Sequence, residues 1–146
     1  MATIITHTIK ASGGDYTSLT TWQVAQVRNL VTADEIEVAE CYDFGDYLND
    51  SPWIQDWITD TNHYIKIYAP QAQRHNGTLG NGFRMTRTSN DNIITIDGVS
   101  NIIIEGIAFY YNYGSSGPKT IYVNSSQAGF IKISHCLIKG PSAAWG

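Results

Sequence analysis

Five acidic residues and four Tyr or Trp residues share one stretch of the chain, between positions 42 and 60. Glycoside hydrolysis needs two carboxyl groups at a fixed separation, and sugar rings stack on aromatic faces, so this stretch is the best enzymatic candidate. It also reads as a long loop between strands, where acids commonly cap turns. A sugar or partner contact and a solvated loop are therefore alternatives to catalysis. The residues concerned are Asp43, Asp46, Asp50, Asp56 and Asp60, with Tyr42, Tyr47, Trp53 and Trp57.

A second group of aromatic residues comes directly before the loop Gly114-Ser115-Ser116-Gly117-Pro118. Exposed aromatic side chains beside a loop are typical of recognition surfaces, and they equally suit packing against another copy of the chain. Both uses stay open. The predicted binding residues are therefore Tyr42, Tyr47, Trp53, Trp57, Tyr110, Tyr111 and Tyr113.

The other side chains that could take part in chemistry do not form a predicted catalytic or metal site. Arg74 and His75 could take a proton in lyase chemistry, but they lie in a Gly-, Asn- and Gln-rich stretch that is typical of an exposed loop. The four histidines lack metal-ligand spacing. Cys41 and Cys136 are predicted to be free thiols that pack as small apolar residues. We therefore assign no catalytic residue, no metal and no cofactor.

The first third of the chain predicts a strand and a helix. Residues 3–10 have the alternation of a strand, and Ala11–Asp15 is a turn. Residues 18–30 carry apolar side chains at helical spacing, with Thr17 or Ser18 as N-cap. We expect this helix to cover the end of the core and to bury Trp22.

The remainder of the chain contains a sequence repeat. Four Ile-x-Ile/Val segments begin at Ile36, Ile65, Ile102 and Ile131, so their spacings are 29, 37 and 29 residues. The longer spacing fits an insertion between residues 71 and 82. Each later repeat contains three short strands. The pattern predicts an internal stack of these isoleucines, a second stack of Val38, Ile67, Ile104 and Ile133, and an outward row of Glu37, Lys66, Ile103 and Lys132.

The predicted fold is an all-β, right-handed parallel β-helix of about four coils, closed at one end by the N-terminal α-helix. We divide the chain into residues 1–33, the strand and capping helix, and residues 34–146, the coils. The last coil is expected to be open or continued. Cys41 and Cys136 would occupy equivalent positions three coils apart, too far for a disulfide.

Two segments resemble the pectin-lyase-like β-helix superfamily. The opening Gly14-Asp15-Tyr16-Thr17-Ser18-Leu19 with Trp22 resembles the start of many such phage and bacterial proteins, and residues 99–109 resemble one coil. The resemblance implies a fold shared by lyases, hydrolases, tailspikes, adhesins and virion decoration proteins, and it does not choose among these functions. No catalytic motif of the family can be placed on particular residues here.

Composition narrows the functional classes. The net charge of −4 gives no electrostatic reason to bind nucleic acid, and no apolar run is long enough for a membrane helix. The opening MATIITHTIK lacks the features of a secretory signal. We therefore expect a non-enzymatic structural protein of a phage virion, a capsid decoration protein or a fibre or spike base. The enzyme question stays open, and a non-enzymatic role is favoured.

The expected partners are other virion proteins or copies of the same chain, including a homotrimer, and surface carbohydrate. Two alternatives remain. One is the N-terminal part of a carbohydrate-active enzyme, a polysaccharide lyase or hydrolase, and the other is a bacterial adhesin located outside the cell or on its surface.

Overall fold

The computed structural model describes residues 1–114 and 117–140. Within these ranges, short strands rich in Ile, Val, Thr and Tyr alternate with turns. The helical elements are α1 (Leu19–Gln26), α2 (Leu30–Ala33) and a 3-10 helix at Gln71–Gln73. The strands are β1 (Thr3–Ile9), β2 (Glu35–Cys41), β3 (Leu48–Asn49), β4 (Trp53–Ile54), β5 (Ile65–Tyr68), β6 (Arg84–Arg87), β7 (Ile94–Asp97), β8 (Ile102–Glu105), β9 (Ala108–Tyr111), β10 (Ile121–Asn124), β11 (Ile131–Ser134) and β12 (Leu137–Lys139).

The strands form three parallel sheets. The five-stranded sheet has the order β1-β2-β5-β8-β11, the four-stranded sheet β3-β6-β9-β12, and the three-stranded sheet β4-β7-β10. From β5 onward the chain visits the three sheets in turn. Inward side chains from all three, such as Ile65, Met85 and Ile94, meet in one apolar cluster. Burial of this cluster is the main stabilising term, because no sheet covers its own apolar face.

The predicted fold class is wrong. The described residues form three separate parallel sheets of five, four and three strands, and they show no single β-helix of about four coils. Nor is there a lone capping helix, since α2 follows α1. The sheets are unequal because β1 and β2 both join the five-stranded sheet, and they pair along seven residues. Only turns and helices lie between these two strands.

The predicted isoleucine stack is correct for three of its four members. Ile65, Ile102 and Ile131 are neighbours on β5, β8 and β11. Ile65 pairs on its other side with Glu37, however, and Ile36 lies one position away. A one-residue shift exchanges the two faces of a strand, so Glu37 points inward and is buried. Its predicted outward place above Lys66 is therefore wrong.

The second predicted stack has the same shift. Ile67, Ile104 and Ile133 are neighbours, but Ile67 pairs with Ala39, and Val38 pairs with Lys66. The outward row of Lys66, Ile103 and Lys132 is confirmed. Both cysteines are free thiols, as predicted. The two cysteines are not at equivalent positions of the repeat, because Cys41 lies on β2, and the pairing of β2 with β5 is shifted by one residue.

The predicted helix is shorter than its apolar pattern. Ser18 is the N-cap, its hydroxyl accepting the Thr21 N–H at 3.0 Å, and Trp22 is fully buried, as predicted. The helix ends at Gln26, and α2 begins at Leu30 with Asn29 as its own N-cap. The break lets Arg28 reach the carboxylates of β2. No helix in the described residues is long and apolar enough to cross a membrane.

Candidate functional site

Two of the seven predicted binding residues are buried. Trp57 is only 4% exposed, packs on Trp22 with ring centres 5.7 Å apart, and donates its indole N–H to Gln23 Oε1 at 2.5 Å. Tyr111 is also 4% exposed, and its hydroxyl donates to the Ser89 carbonyl at 3.3 Å. Neither ring offers a face to a ligand, because both are part of the apolar core.

Four predicted tyrosines lie on other faces of the molecule. Tyr47 and Tyr110 are half-buried neighbours on the four-stranded sheet, with ring centres 5.8 Å apart. Tyr42 lies beyond the end of β2 under the Lys10 ammonium, which is 4.1 Å from its ring centre. Tyr113 is exposed in the loop after β9, whose Ser115 and Ser116 lie outside the described residues. Apart from the pair Tyr47 and Tyr110, the structure therefore does not bring the predicted aromatic residues together.

Four of the acids of the predicted enzymatic stretch hold the backbone. Asp50 is buried and accepts hydrogen bonds from Thr20 and from its neighbour Ser51. Asp43 accepts from the Gly45 N–H at 2.8 Å, Asp46 accepts from the Tyr47 N–H, and Asp60 accepts from the turn that follows it. These are the capping uses that a loop would have. Asp56 is the exception, and it is exposed.

Trp53, the seventh predicted residue, forms a surface groove with a strand residue that the prediction missed. Trp53 on β4 pairs with Thr95 on β7, and Thr95 pairs with Tyr122 on β10, so the three side chains form one row on the outer face of the three-stranded sheet. Trp53 is 54% exposed and Tyr122 is 43% exposed. We call this groove, of about 420 Å³, the aromatic groove. Its lining is Ser51, Trp53, Asn90, Asp91, Asn92, Thr95, Gly117, Pro118 and Tyr122.

Hydrogen bonds hold the polar side chains of the aromatic groove in place. Asn92 donates from Nδ2 to Thr95 Oγ1 at 3.1 Å, so the Thr95 hydroxyl proton remains available to a ligand. Ser51 Oγ donates to the Asn92 carbonyl at 2.7 Å. The Arg87 guanidinium binds Asp91 at 2.7 Å and lowers the pKa of that carboxyl. The groove therefore presents two aromatic faces with a fixed polar floor between them.

The strand spacing sets the separation of the two aromatic residues. Trp53 and Tyr122 are two strands apart, which is about 10 Å between their Cα atoms. A rigid sheet keeps this separation better than a loop would. Within the described residues, the Trp53 indole N–H and the Tyr122 hydroxyl have no hydrogen-bond partner, so both can bond a ligand. This arrangement can bind a flat, hydroxyl-rich molecule that presents apolar C–H faces to the rings.

A second cluster lies on the outer face of the five-stranded sheet. Glu40, Tyr68 and Glu105 form one row across β2, β5 and β8. Tyr42 and Tyr68 each donate a hydroxyl to Glu40 at 2.5 Å. Glu105 is paired with Lys66 at 3.1 Å and with Arg74. The Cα atoms of Glu40 and Glu105 are thus about 10 Å apart. Of the groups in this row, these two carboxylates most resemble the pair of acids that a glycosidase uses.

The electrostatics of this row do not suit glycoside hydrolysis. The hydroxyls of Tyr42 and Tyr68 lower the pKa of Glu40. Burial would raise the pKa of Glu105, but the bonds from Lys66 and Arg74 bring it below its ordinary value. Burial and the bond to Glu40 raise the pKa of Tyr68 to about 12. A glycosidase acid needs a carboxyl with a raised pKa, and both carboxyls here are held as anions.

A third cluster is buried at the end of the molecule where α1 lies. Glu37 is fully buried and accepts hydrogen bonds, all at 2.8 Å, from Trp22 Nε1, His7 Nδ1 and Arg28 Nη2. Arg28 also binds Glu35 at 2.7 Å. A buried carboxylate is stable only with such donors, so this cluster explains why Glu37 can replace an isoleucine in the core. Its carboxylate is not open to a ligand.

The sequence prediction missed Thr95 and Tyr122. A signal existed, because Ile94-Thr95-Ile96 and Ile121-Tyr122-Val123 are corresponding strands of the repeat, and their middle residues point away from the core by alternation. Taking the outward residues strand by strand would have placed Thr95 beside Tyr122. The position of Trp53 in the same row could not be found in this way, because β4 is only two residues long.

No metal centre accompanies these clusters: within residues 1–114 and 117–140, no group of three or more His, Cys, Asp or Glu side chains could hold a metal ion. Comparison with known proteins gives no further guide. No family model matches the chain, and no curated protein and no solved structure is found to be similar to it.

Proposed function

We propose that this chain is a non-enzymatic recognition protein that binds carbohydrate in the aromatic groove. One observation carries the proposal: Trp53 and Tyr122 are both exposed on one rigid sheet, on either side of Thr95. Large aromatic side chains on a protein surface are common at binding sites, because they gain much from contact with a partner.

The chemistry of the groove suits sugars better than other ligands of similar size. Sugar rings offer C–H faces to Trp53 and Tyr122, and their hydroxyls can bond the Trp53 N–H and the Thr95 hydroxyl. Trp53, Thr95 and Tyr122 form a row across three strands of the outer sheet face, which allows a long chain to lie across the strands.

Catalysis is the less favoured function. The aromatic groove contains a single carboxylate, Asp91, and that group is engaged by Arg87. The Glu40 and Glu105 pair lies on another sheet and lacks a carboxyl suited to be the general acid. Binding needs neither a second carboxylate nor a shifted pKa.

We further propose a structural setting for this recognition, a phage virion in which the chain decorates the capsid or forms a fibre or spike base. The support is the opening sequence around Gly14 and Trp22 and a parallel-sheet scaffold that can hold a binding face rigidly. The partners would be other virion proteins or copies of the chain. Mass spectrometry of particles purified from the phage that encodes the chain should detect it, and its absence from them would favour a bacterial adhesin.

A binding screen tests the proposed carbohydrate recognition. The protein is titrated by calorimetry and on arrays against neutral and acidic polysaccharides, with release of reducing ends measured in parallel. We expect binding without cleavage. Trp53→Ala should weaken binding about tenfold or more, since stacking on one aromatic ring contributes about 0.5–1.5 kcal/mol beyond its contact area. Tyr113→Ala, an exposed aromatic residue outside the groove, is the matched control and should retain binding.

Two results would overturn the proposal. The first is a screen in which no glycan binds, or in which Trp53→Ala and Tyr113→Ala behave alike. The second is measurable cleavage that disappears in Glu40→Gln or Glu105→Gln, which would make the chain a carbohydrate-active enzyme whose site is on the five-stranded sheet.

A further inference from the structure

A second cleft lies on the other side of Trp53. It has a volume of about 280 Å³ and shares Ser51 and Trp53 with the aromatic groove. We call it the α1 cleft, because helix α1 supplies one wall. The residues of its lining that matter here are Val24 on α1 and Trp53, Gln55 and Asp56 on the opposite wall. Trp53 therefore stands between two adjoining depressions, and a ligand stacked on it can extend in both directions.

The α1 cleft has side chains that the protein itself does not use. Val24 is 73% exposed on α1, although it is apolar. The side-chain amide of Gln55 and the carboxylate of Asp56 are exposed, and neither has a hydrogen-bond partner in the described part of the chain. This differs from Asp43, Asp46, Asp50 and Asp60, which all hold turns or caps. A carboxylate and an amide beside an apolar side chain match the hydroxyls and the C–H face of a sugar.

The backbone presents Asp56 to this cleft. Its φ of 65° lies in the left-handed region, which aspartate and asparagine tolerate better than most residues. Asp56 lies two residues beyond the end of β4, the strand that carries Trp53. The carboxylate and the indole ring are thus three residues apart on one short, well-placed segment, and they line the same cleft.

The charges in the two clefts select against acidic ligands. Asp56 lines the α1 cleft and Asp91 lines the aromatic groove, and no Lys or Arg side chain is part of either lining as far as the described residues extend. Arg87 is already paired with Asp91. A uronate in the α1 cleft would meet the Asp56 carboxylate without a compensating cation, and such like-charge contact strongly disfavours binding.

We propose that the two clefts form one continuous site for a linear chain of uncharged sugars, with Asp56 as the residue that rejects uronates. This inference rests on the proposed carbohydrate binding. Trp53 would stack near the middle of the bound segment. The Cα atoms of Trp53 and Tyr122 are about 10 Å apart in the aromatic groove, so the α1 cleft extends the site to about three or more sugar units.

The test uses oligosaccharides of defined length and charge. The wild-type protein is titrated by calorimetry with cello-, manno- and galacto-oligosaccharides of two to six units and with oligogalacturonates of the same lengths. We expect the affinity for the best neutral series to rise about tenfold or more from the shortest to the longest member, because added units reach the α1 cleft. Oligogalacturonates should bind more weakly at every length.

Asp56→Asn tests the selectivity. Asparagine tolerates the left-handed backbone, so the variant should fold. We expect the ratio of uronate affinity to neutral affinity to rise about tenfold or more, as removal of one like-charge contact predicts. Asp46→Asn makes the same change of charge outside both clefts and should keep the wild-type ratio.

Different results would contradict the extended-site proposal and the underlying proposal of carbohydrate binding. If neutral oligosaccharides bind and Trp53→Ala weakens them, but affinity is independent of length or Asp56→Asn keeps the wild-type ratio, the extended site is wrong and the carbohydrate proposal stands. If no neutral or acidic series binds the wild-type protein, both are wrong.

Discussion

Trp53 and Trp57 are four residues apart, and the structure uses them in opposite ways. Trp57 belongs to the buried end of the molecule beside α1, where it packs on Trp22 and donates its N–H to Gln23. Trp53 belongs to the aromatic groove, where its ring is more than half exposed. The two residues share a type, a chain segment and the same predicted role. The difference between them shows that aromatic composition alone does not identify a binding surface.

The polar groups of the two regions differ in the same way. At the buried end, Glu37 is satisfied by three donors, from Trp22, His7 and Arg28. In the two clefts, the Trp53 N–H and the Asp56 carboxylate have no such partner among the described residues. Buried polar groups must be paired to be stable, whereas exposed groups can keep their bonding capacity for water or a ligand. The first region therefore contributes to stability, and the second is available for recognition.

The largest expected effect separates the two tryptophans. Trp57→Ala should lower the free energy of unfolding by about 3–5 kcal/mol, because it empties a large core volume. Trp53→Ala should change that free energy by no more than about 0.5 kcal/mol, as is usual for surface substitutions. Urea denaturation followed by circular dichroism measures both. Equal losses of unfolding free energy in the two variants would mean that Trp53 is a core residue. The contrast between the two tryptophans would then be wrong.

The next effect concerns the buried carboxylate. Glu37→Gln removes the negative charge that Arg28 faces and puts an amide donor among three other donors, so it should lower the free energy of unfolding by about 2–3 kcal/mol. Glu35→Gln is the matched control. It changes the same Arg28 pair at a partly exposed position and should cost less than about 1 kcal/mol. A similar loss in both variants would show that burial does not distinguish the two glutamates.

A smaller effect tests the floor of the aromatic groove. Thr95→Val keeps the shape of the side chain and removes its hydroxyl, so it should weaken glycan binding about fivefold, the equivalent of one ordinary hydrogen bond of about 1 kcal/mol. Thr6→Val, on the exposed surface of β1, should leave the affinity unchanged. Titration by calorimetry measures the affinity. An unchanged affinity in Thr95→Val would remove Thr95 from the proposed site.

The smallest effect comes from a partly buried histidine near the surface, which contrasts with the fully buried Glu37. His63 binds Asp34 at 3.0 Å and Asp60 at 2.7 Å, and these bonds raise its pKa above the ordinary 6.5. Protonated His63 therefore stabilises the folded state at and below that pH, and the stabilisation is lost as the pH rises through the folded pKa. Unfolding free energies measured from pH 5 to about pH 9 should show this decline. His63→Gln should remove that part of it, and an unchanged slope would contradict the assignment.

Much of the core could be predicted from the sequence because its signals are local. The Ser18 N-cap, the burial of Trp22 and the pairing of Ile65, Ile102 and Ile131 all follow from short patterns of apolar and capping residues. The outward row of Lys66, Ile103 and Lys132 follows from simple alternation. These features depend on neighbours along one strand or helix, or on the repeat that relates β5, β8 and β11, and both signals can be found in the sequence.

The tertiary structure alone decided the register of β2, the grouping of the strands into three unequal sheets and the fate of each tryptophan. The Ile-x-Val pattern favours Ile36 inside, but Glu37 takes that place because His7, Trp22 and Arg28 converge on it from three different segments. Trp57 is buried because α1 brings Gln23 and Trp22 to it, and Trp53 is exposed because β4 lies with β7 and β10. Alternation along a strand limits each side chain to two faces, and only contacts between distant segments choose which face is buried.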